Sequence, residues 1–360
     1  MKKHIIITVL SLMGLAACNK DIVKDVNTGK AIDFRAALDT KGTEVTTNTL
    51  GVFYVTALTE SGSTYFADES FIKNDEDNFF ESSTDYYWPA EESLNFYAYY
   101  PDAASLGNTV EITIDSEAKT LTGYAPSEDI SEHLDLVIAK ATGNKTTNEN
   151  TGVFLHFYHQ LSQVEIKAKN ENAGFIYLVK GIKIMNVAAK GDLDFSVTTQ
   201  WTPDYDALTS YEVEHDEAIT LGEESVSLMP AADDNAMLIP QTRAAWDVEN
   251  DSEGNAEKGS YIAVLIQIQT KDGSRVFPSS DDYGWVAYPL GYEWGPGYKY
   301  IYTLNFTEGA GYVDPENTPV DPENPYQPGQ EVLGGKMTFD TDVTSWYAKN
   351  SSSPSIDAGI

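Results

Sequence analysis

The chain has 360 residues, of which 41% are hydrophobic and 22% are charged. Its 56 acidic residues against 23 basic residues give a formal net charge of -33 at pH 7, which argues against a nucleic acid partner. The ordinary apolar fraction argues against bulk disorder, and the single cysteine excludes a disulfide framework. The length is that of about two domains.

The first seventeen residues have the features of an export signal. Lys2 and Lys3 precede an apolar run at 5–14 that is too short for a mature membrane-spanning helix. The Leu-Ala-Ala-Cys sequence at 15–18 resembles the lipobox of bacterial lipoproteins, which implies cleavage before Cys18 and a lipid on its thiol. An ordinary signal peptide with a chance cysteine is the alternative. We predict a signal peptide over 1–17, a lipid anchor at Cys18 and a polar tether over 18–30.

The body of the chain is predicted to be mostly β, because alternation of apolar and polar residues is its dominant pattern. No segment has a helical period beyond two turns. We therefore expect two β-sandwich domains, at 31–145 and 146–310. The predicted strands lie at 52–58, 94–100, 110–114, 134–139, 163–169, 182–185, 225–229, 236–239, 262–268 and 298–306.

Two segments interrupt this pattern. Residues 142–151 contain no large apolar side chain and are predicted to connect the two domains. Residues 311–335 carry the sequence Val-Asp-Pro-Glu-Asn twice, at 313–317 and 320–324, followed by two more prolines. We expect an extended linker outside any core, because proline removes the hydrogen-bond donors that a sheet needs. The remaining region, 336–360, contains one more alternating strand and a tail.

Motifs for catalysis and metal binding are missing from the sequence. It contains no nucleophile elbow, no zinc-protease motif and no phosphate-binding loop, so we predict no enzyme and no cofactor. His156 and His159 are three residues apart, which on a strand places them on opposite faces and prevents joint chelation. An acidic stretch at 247–254 resembles a calcium loop, but Ser260 stands where a bidentate Glu belongs. We therefore predict no metal site.

Aromatic residues are densest at 86–88 and 292–294. They have two interpretations. They stack on sugars at the surface, or they form part of the core.

Five segments, taken in chain order, resemble motifs of the fimbrillin-like family, the subunits of type V pili. They are the Trp-Pro pair at 88–89 with Leu-Asn-Phe-Tyr-Ala-Tyr-Tyr-Pro at 94–101, and the segments 135–139, 154–162, 237–241 and 294–300. The motifs are structural in character. Trp88, Phe96, Tyr100 and Trp294 are predicted as core residues, and His159 as a packing or hydrogen-bonding residue.

The resemblance implies two tandem transthyretin-like or immunoglobulin-like β-sandwich domains with an extra C-terminal strand after the Pro-rich linker. It also implies a lipidated precursor at the outer membrane, an Arg-specific cleavage near the N-terminus, and assembly into a cell-surface pilus by strand exchange. The expected partners are other pilin subunits, and a host or bacterial surface glycan or protein. The role as tip, shaft or anchor subunit stays open. The alternative function is a monomeric outer-membrane lipoprotein that binds glycans through exposed aromatics.

Arg35 is the predicted maturation site, because of the three arginines it alone lies near the N-terminus. Lys41 is a competing site. Cleavage at Arg35 would displace an N-terminal strand whose inward side chains recur at spacing two: Ile32, Phe34, Ala36 and Leu38.

The C-terminal strand has a similar pattern and is the predicted donor strand. Its inward side chains are Met337, Phe339, Thr341 and Val343. Two arrangements are open: the strand replaces the N-terminal strand of a neighbouring subunit, or it folds back as a closing strand on its own chain.

Overall fold

The computed structural model describes residues 29–38, 49–196, 200–231, 234–249, 259–279, 282–316, 326–334 and 337–345. The predicted signal peptide, Cys18 and Lys41 lie outside the described residues, as do the second Val-Asp-Pro-Glu-Asn copy and the C-terminal tail from residue 346.

Strands dominate the first half, as the alternation predicted. Its elements are β1 (Phe34–Leu38), β2 (Val52–Thr59), β3 (Thr64–Lys73), β4 (Phe80–Glu81), β5 (Leu94–Tyr100), α1 (Ala103–Leu106), β6 (Glu111–Ile114), β7 (Lys119–Tyr124), a 3-10 turn (Ile130–Glu132), β8 (Val137–Gly143), α2 (Lys145–Asn148) and β9 (Val153–His159). Both α-helices have four residues.

The second half continues in strands. They are β10 (Ser162–Lys169), β11 (Phe175–Ala188), β12 (Gly191–Asp194), β13 (Gln200–Pro203), β14 (Leu208–Thr220), β15 (Val226–Ser227), β16 (Ala236–Leu238), β17 (Thr242–Arg243), β18 (Tyr261–Thr270), β19 (Arg275–Phe277), β20 (Gly284–Pro289), β21 (Tyr292–Glu293), β22 (Tyr298–Asn305), β23 (Tyr312–Val313) and β24 (Thr338–Ser345). The mostly β class is confirmed.

Seven strands of the first half form a closed barrel in the order β1-β4-β3-β2-β5-β8-β9. The ring closes because β1 pairs with β4 on one side and with β9 on the other. Its interior is filled by large apolar side chains, among them Phe53, Phe71, Phe96 and Phe157, all fully buried. The predicted sandwich is thus not confirmed for the first half, whose strands form a closed barrel without free edges.

The predicted boundary at 145/146 falls within this barrel. The segment 142–151 leads from β8 through α2 into β9, which returns to the same sheet. A further four-stranded sheet, β13-β12-β7-β6, joins strands from both halves. Its side chains share a core with the barrel's outer face, where Trp201 Nε1 donates to the Gln160 carbonyl at 2.7 Å. The two halves are therefore packed on each other through a common hydrophobic layer.

Two sheets face each other in the second half. One has the order β15-β10-β22-β24, with β16 beside β10, and the other has the order β14-β11-β18-β20-β23, with β19 beside β18. Their inward residues form one core cluster, to which β18 contributes Ile262, Val264, Ile266 and Ile268. This half has the sandwich arrangement that the alternation favours.

The segment 311–335 differs from the extended linker that its prolines predicted. At its described start, Val313 is buried and pairs with β20, and Gly311 has a positive φ of 80° that turns the chain onto this edge. At its described end, Val332 is buried and its amide donates to the Gly311 carbonyl at 2.9 Å. Val313 and Val332, which flank the prolines, pack on an open sheet edge, and local sequence patterns do not reveal that edge.

Candidate strand-exchange site

The predicted displaced strand is β1, and it occupies one place in the barrel wall. It runs parallel to β9 over five residue pairs, from Phe34 opposite Val153 to Leu38 opposite Phe157. On the other side it is antiparallel to β4, and the Ile32 amide donates to the Tyr86 carbonyl at 2.7 Å. Removal of β1 would leave two unpaired strand edges in a formerly closed ring.

The inward side chains of β1 form the middle of the barrel core. Ile32, Phe34 and Leu38 are 2%, 0% and 4% exposed, and Ala36 packs against the same cluster. The Phe34 ring makes edge-on contacts with three other buried phenylalanine rings at centroid distances of 4.7 to 6.0 Å: Phe53, Phe71 and Phe96. Such contacts stabilise a core beyond the area they bury.

Arg35 points outward from β1 and is exposed. Its guanidinium carbon lies 5.9 Å from the centroid of the Phe79 ring, which the Lys30 ammonium also approaches at 4.7 Å. Lys30 in turn forms an ion pair of 2.5 Å with the buried Asp33 carboxylate. The peptide bond after Arg35 lies inside β1, between its paired neighbours, so a protease would need β1 to leave the wall first.

A glycine at the start of β9 allows close packing against the residues that precede β1. Gly152, which precedes β9, has a φ of 69°, and a Cβ there would lie 2.9 Å from the Phe79 ring and 3.0 Å from the Asp33 carboxylate. The close approach of the β9 backbone to β1 therefore needs a residue without a side chain.

Tyr86, whose carbonyl accepts the Ile32 amide, lies beside the start of β1. Its hydroxyl donates to Glu69 Oε2 at 2.8 Å. Burial, together with this carboxylate, raises the pKa of Tyr86 to about 12, so the phenol stays protonated near neutral pH.

The predicted donor strand is β24, and in this chain it lies at the edge of the second-half sandwich. It is antiparallel to β22 over eight residue pairs, from Tyr298 opposite Ser345 to Asn305 opposite Thr338. This is the fold-back arrangement that the sequence left open. Donation of the strand to a second subunit stays a prediction.

Only the first part of β24 is packed. Met337, which directly precedes β24, is 2% exposed, and the centroid of the half-buried Phe339 ring lies 5.0 Å from that of Tyr288 and 6.3 Å from that of Tyr302. Thr341 is exposed and Val343 is 52% exposed, although both lie on the same side of the strand as Phe339. The strand is therefore held by backbone hydrogen bonds and by one end of its apolar face.

A buried acid holds the segment that leads to β24. The Tyr261 hydroxyl donates to Asp314 Oδ1 at 3.2 Å, and the Glu316 amide donates to the same oxygen at 2.9 Å. Burial raises the pKa of Asp314, which is 3% exposed. Burial and the neighbouring Asp314 carboxylate also raise the pKa of Glu316.

The aromatic clusters proposed for glycan stacking lie mainly inside the protein. Trp88 is 1% exposed, Tyr292 7% and Trp294 3%. The last two rings stack at 3.6 Å, and Trp294 Nε1 donates to the Tyr302 hydroxyl at 2.9 Å. The core assignments of Trp88, Phe96 and Trp294 are confirmed, and Tyr100 packs against the barrel core.

The two histidines of β9 lie on opposite faces, as their spacing predicted. His159 is buried, with Nδ1 2.7 Å from Asp135 Oδ2, and His156 faces outward. Among the described residues, no group of three or more His, Cys, Asp or Glu side chains is arranged to hold a metal ion. The acidic stretch at 247–254, which resembles a calcium loop, lies outside the described residues from residue 250.

One surface was missed by sequence reasoning. On the outer face of β9, Phe154 is 52% and Tyr158 48% exposed, and the His156 ring between them stacks on Tyr158 at 4.7 Å. We call these three side chains the β9 outer row. The sequence contained an indication of this surface, because aromatic residues occupy both the inward and the outward positions of β9.

The described part of the chain contains no helix with the length and hydropathy of a membrane span. A family profile described as fimbrillin-like matches residues 35–322. The chain belongs to the fimbrillin-like family. The match begins at Arg35 within β1 and ends at residue 322, outside the described residues.

Solved structures resemble this fimbrillin-like protein along most of its length. A fimbrial protein from Bacteroides vulgatus ATCC 8482 has a TM-score of 0.58 at 16% identity and covers 87% of this chain and 99% of its own. A candidate cell adhesion protein from Bacteroides uniformis ATCC 8492 has a TM-score of 0.49 at 13% identity, over 89% of this chain and 98% of its own. A fimbrial assembly protein from Parabacteroides distasonis ATCC 8503 has a TM-score of 0.34 at 12% identity, over 77% and 92%. The first of these supports a shared fold, and no curated protein sequence matched.

Proposed function

We propose that this chain is a structural or adhesive subunit of a cell-surface fimbria, and that β24 of one subunit replaces β1 of the next. Membership of the fimbrillin-like family supports the fimbrial role, and a non-enzymatic one. The observation that carries strand exchange is a contrast between two strands of similar pattern. The inward face of β1 is buried at the centre of a closed barrel, whereas that of β24 is half exposed on a sheet edge.

Exchange would bury apolar surface that β24 now leaves in water. In the place of β1, Phe339 would enter the Phe34 pocket and Val343 would enter the Leu38 pocket. In this chain the Leu38 side chain is 4% exposed, whereas Val343 is 52% exposed. Full burial of such a side chain is worth about 1.5–3 kcal/mol. The strand would also pair on two sides instead of one.

The precursor would hold this site closed until maturation. We propose that the lipid on Cys18 anchors the precursor at the outer membrane, and that cleavage at Arg35 detaches the residues carrying Ile32 and Phe34. Of the three residues of β1 that remain, only Leu38 is buried, so the shortened strand has lost most of its core contacts and can leave the barrel wall. Since β1 is paired on both sides, we expect cleavage to follow local opening of its N-terminal part.

The contacts of the segment 311–335 with the sandwich limit the reach of β24. With Val332 anchored to Gly311, only residues 333–336 precede Met337, about 13 Å of extended chain at ~3.3 Å per residue. If the whole segment 311–335 detaches, it reaches up to roughly 75 Å at about 3.1 Å per residue. Neighbouring subunits therefore either abut closely or release the Asp314 contact.

The experiment compares polymer ladders of unboiled surface extracts. Phe339→Asp should abolish the ladder, because it places a charge in the Phe34 pocket, and should leave the single chain folded. Thr344→Asp is the matched control, since it adds the same charge to an exposed position of β24. Polymers that persist in Phe339→Asp would rule out donation by this strand, and a deletion of 336–360 that unfolds the monomer would assign β24 to its own domain.

The alternative function is glycan binding by a monomeric lipoprotein. It is less favoured, because the aromatic residues expected to stack on sugars, Trp88, Tyr292 and Trp294, are buried.

A further inference from the structure

The β9 outer row lies directly beside the place that β1 occupies. In the parallel register, Arg35 stands opposite Phe154 and Ala37 stands opposite His156. Any strand that replaces β1 must therefore present two of its outward side chains to this row. Exposed aromatic surface of this kind is typical of an interaction site.

The sizes of the inward side chains select one direction and one register for the incoming strand. Aligned in the same direction, Met337, Phe339, Thr341 and Val343 take the places of Ile32, Phe34, Ala36 and Leu38. The phenylalanine then fills the phenylalanine pocket and the small Thr341 falls on the small Ala36. Volume-conserving replacements of this kind are the ones a packed core tolerates best.

The reverse direction fits poorly. It would put Thr341 in the Phe34 pocket, where three phenylalanine rings would face a cavity, and Phe339 in the place of Ala36. A shift by two residues in the same direction has one of these two defects, because it puts either Thr341 in the Phe34 pocket or Phe339 in the place of Ala36. Cavities and overpacking both cost more than a matched fit.

From this alignment we propose that the incoming strand runs parallel to β9 of the receiving subunit and places Asp342 against His156. The inference rests on the proposed strand exchange and names its register and its contact outside the core. With Phe339 in the place of Phe34, Asp340 takes the place of Arg35 beside Phe154, and Asp342 takes the place of Ala37.

Hydrogen-bonding chemistry supports this contact. Both aspartates are exposed on β24, and in the fold-back arrangement Asp342 stands opposite Ile301, which carries no charge. His156 supplies a nitrogen that donates a hydrogen bond to a carboxylate, and its ring is held in place by stacking on Tyr158. The β9 outer row is thus the rim of the docking site, with a second copy of this chain as its occupant.

Pairs of engineered cysteines test the register. The natural chain has one cysteine, Cys18, so few other disulfides can form. In surface polymers, subunits with His156→Cys should form an intermolecular disulfide with subunits carrying Asp342→Cys. Parallel neighbours lie about 4.8 Å apart, within the Cα separation that a disulfide spans. Asp340→Cys is the matched control, on the same face but two residues away. Within one precursor chain, Ala37→Cys with His156→Cys should cross-link as a positive reference.

Each outcome decides the inference. Cross-linking of Thr338→Cys with His156→Cys would establish the reverse direction and overturn it. Polymers that form without any of these cross-links would also overturn it, and would leave strand exchange at another site standing. Failure of the unmodified chain to polymerise would overturn both proposals.

A charge reversal provides an independent readout. His156→Glu should reduce polymer yield about two- to fivefold, the effect of like charges directly opposite in a sheet. Asp342→Lys in the donor strand should restore the yield. If Asp342→Lys does not restore it, Asp342 does not face His156, and the proposed register is wrong.

Discussion

Phe34→Ala measures how strongly β1 is built into the barrel. The side chain is 0% exposed and touches three aromatic rings at 4.7 to 6.0 Å. The surrounding ring of strands is closed, so it has little freedom to collapse onto the space left behind. Truncation of a buried phenylalanine in such a setting costs about 3–5 kcal/mol of unfolding free energy.

The assay is urea unfolding of the purified full chain, followed by tryptophan fluorescence. Trp88 reports on this core, because its ring lies 5.8 Å from Phe96, which contacts Phe34. Phe154→Ala is the control in the same barrel: it is 52% exposed, and its effect should stay within about 0.5 kcal/mol.

Phe339→Ala supplies the comparison that strand exchange requires. Its ring is half-buried on an edge strand, so its loss should cost less than that of Phe34, about 1–2 kcal/mol. A cost below about 1 kcal/mol for Phe34→Ala would refute the view that β1 completes the barrel core.

Four further outcomes are expected. Cys18→Ser should abolish incorporation of labelled palmitate and release the protein from the outer-membrane fraction; continued labelling would exclude lipidation at Cys18. N-terminal sequencing of assembled subunits should begin at Ala36, and a start at Cys18 in polymers would exclude cleavage at Arg35. Because burial raises the pKa of Asp314, stability falls as the pH rises above the ordinary carboxyl value of about 4, where the unfolded chain loses this proton first. Asp314→Asn should lack this fall and so gain stability over the natural chain as pH rises; equal pH profiles in urea unfolding would contradict this. Burial lowers the pKa of His133, whose Nδ1 accepts the Met237 amide at 2.9 Å. The free energy of unfolding should therefore fall as pH drops through about 6.5, the ordinary histidine value. His133→Asn should lack that fall in thermal unfolding.

The sequence by itself determined many of the strands and the faces that several of them bury, although it did not indicate β3 or β14. Alternation placed Leu94, Phe96 and Ala98 on one face, and the structure buries all three. It also separated His156 from His159, because successive side chains of a strand point to opposite sides whatever the strand pairs with. The family motifs are carried by the same local patterns, which is why they were readable in the chain alone.

Only the tertiary structure decided how these strands pair. Closure of the barrel depends on β1 meeting β9, more than a hundred residues later, and no local period encodes a partner at that distance. The four-stranded sheet that joins the two halves, and the docking of Val313 and Val332 on an open edge, have the same origin. The composition of 311–335 predicted an exposed linker because proline content reports on local hydrogen bonding. The burial of its few apolar residues depends on which sheet edge remains unpaired nearby.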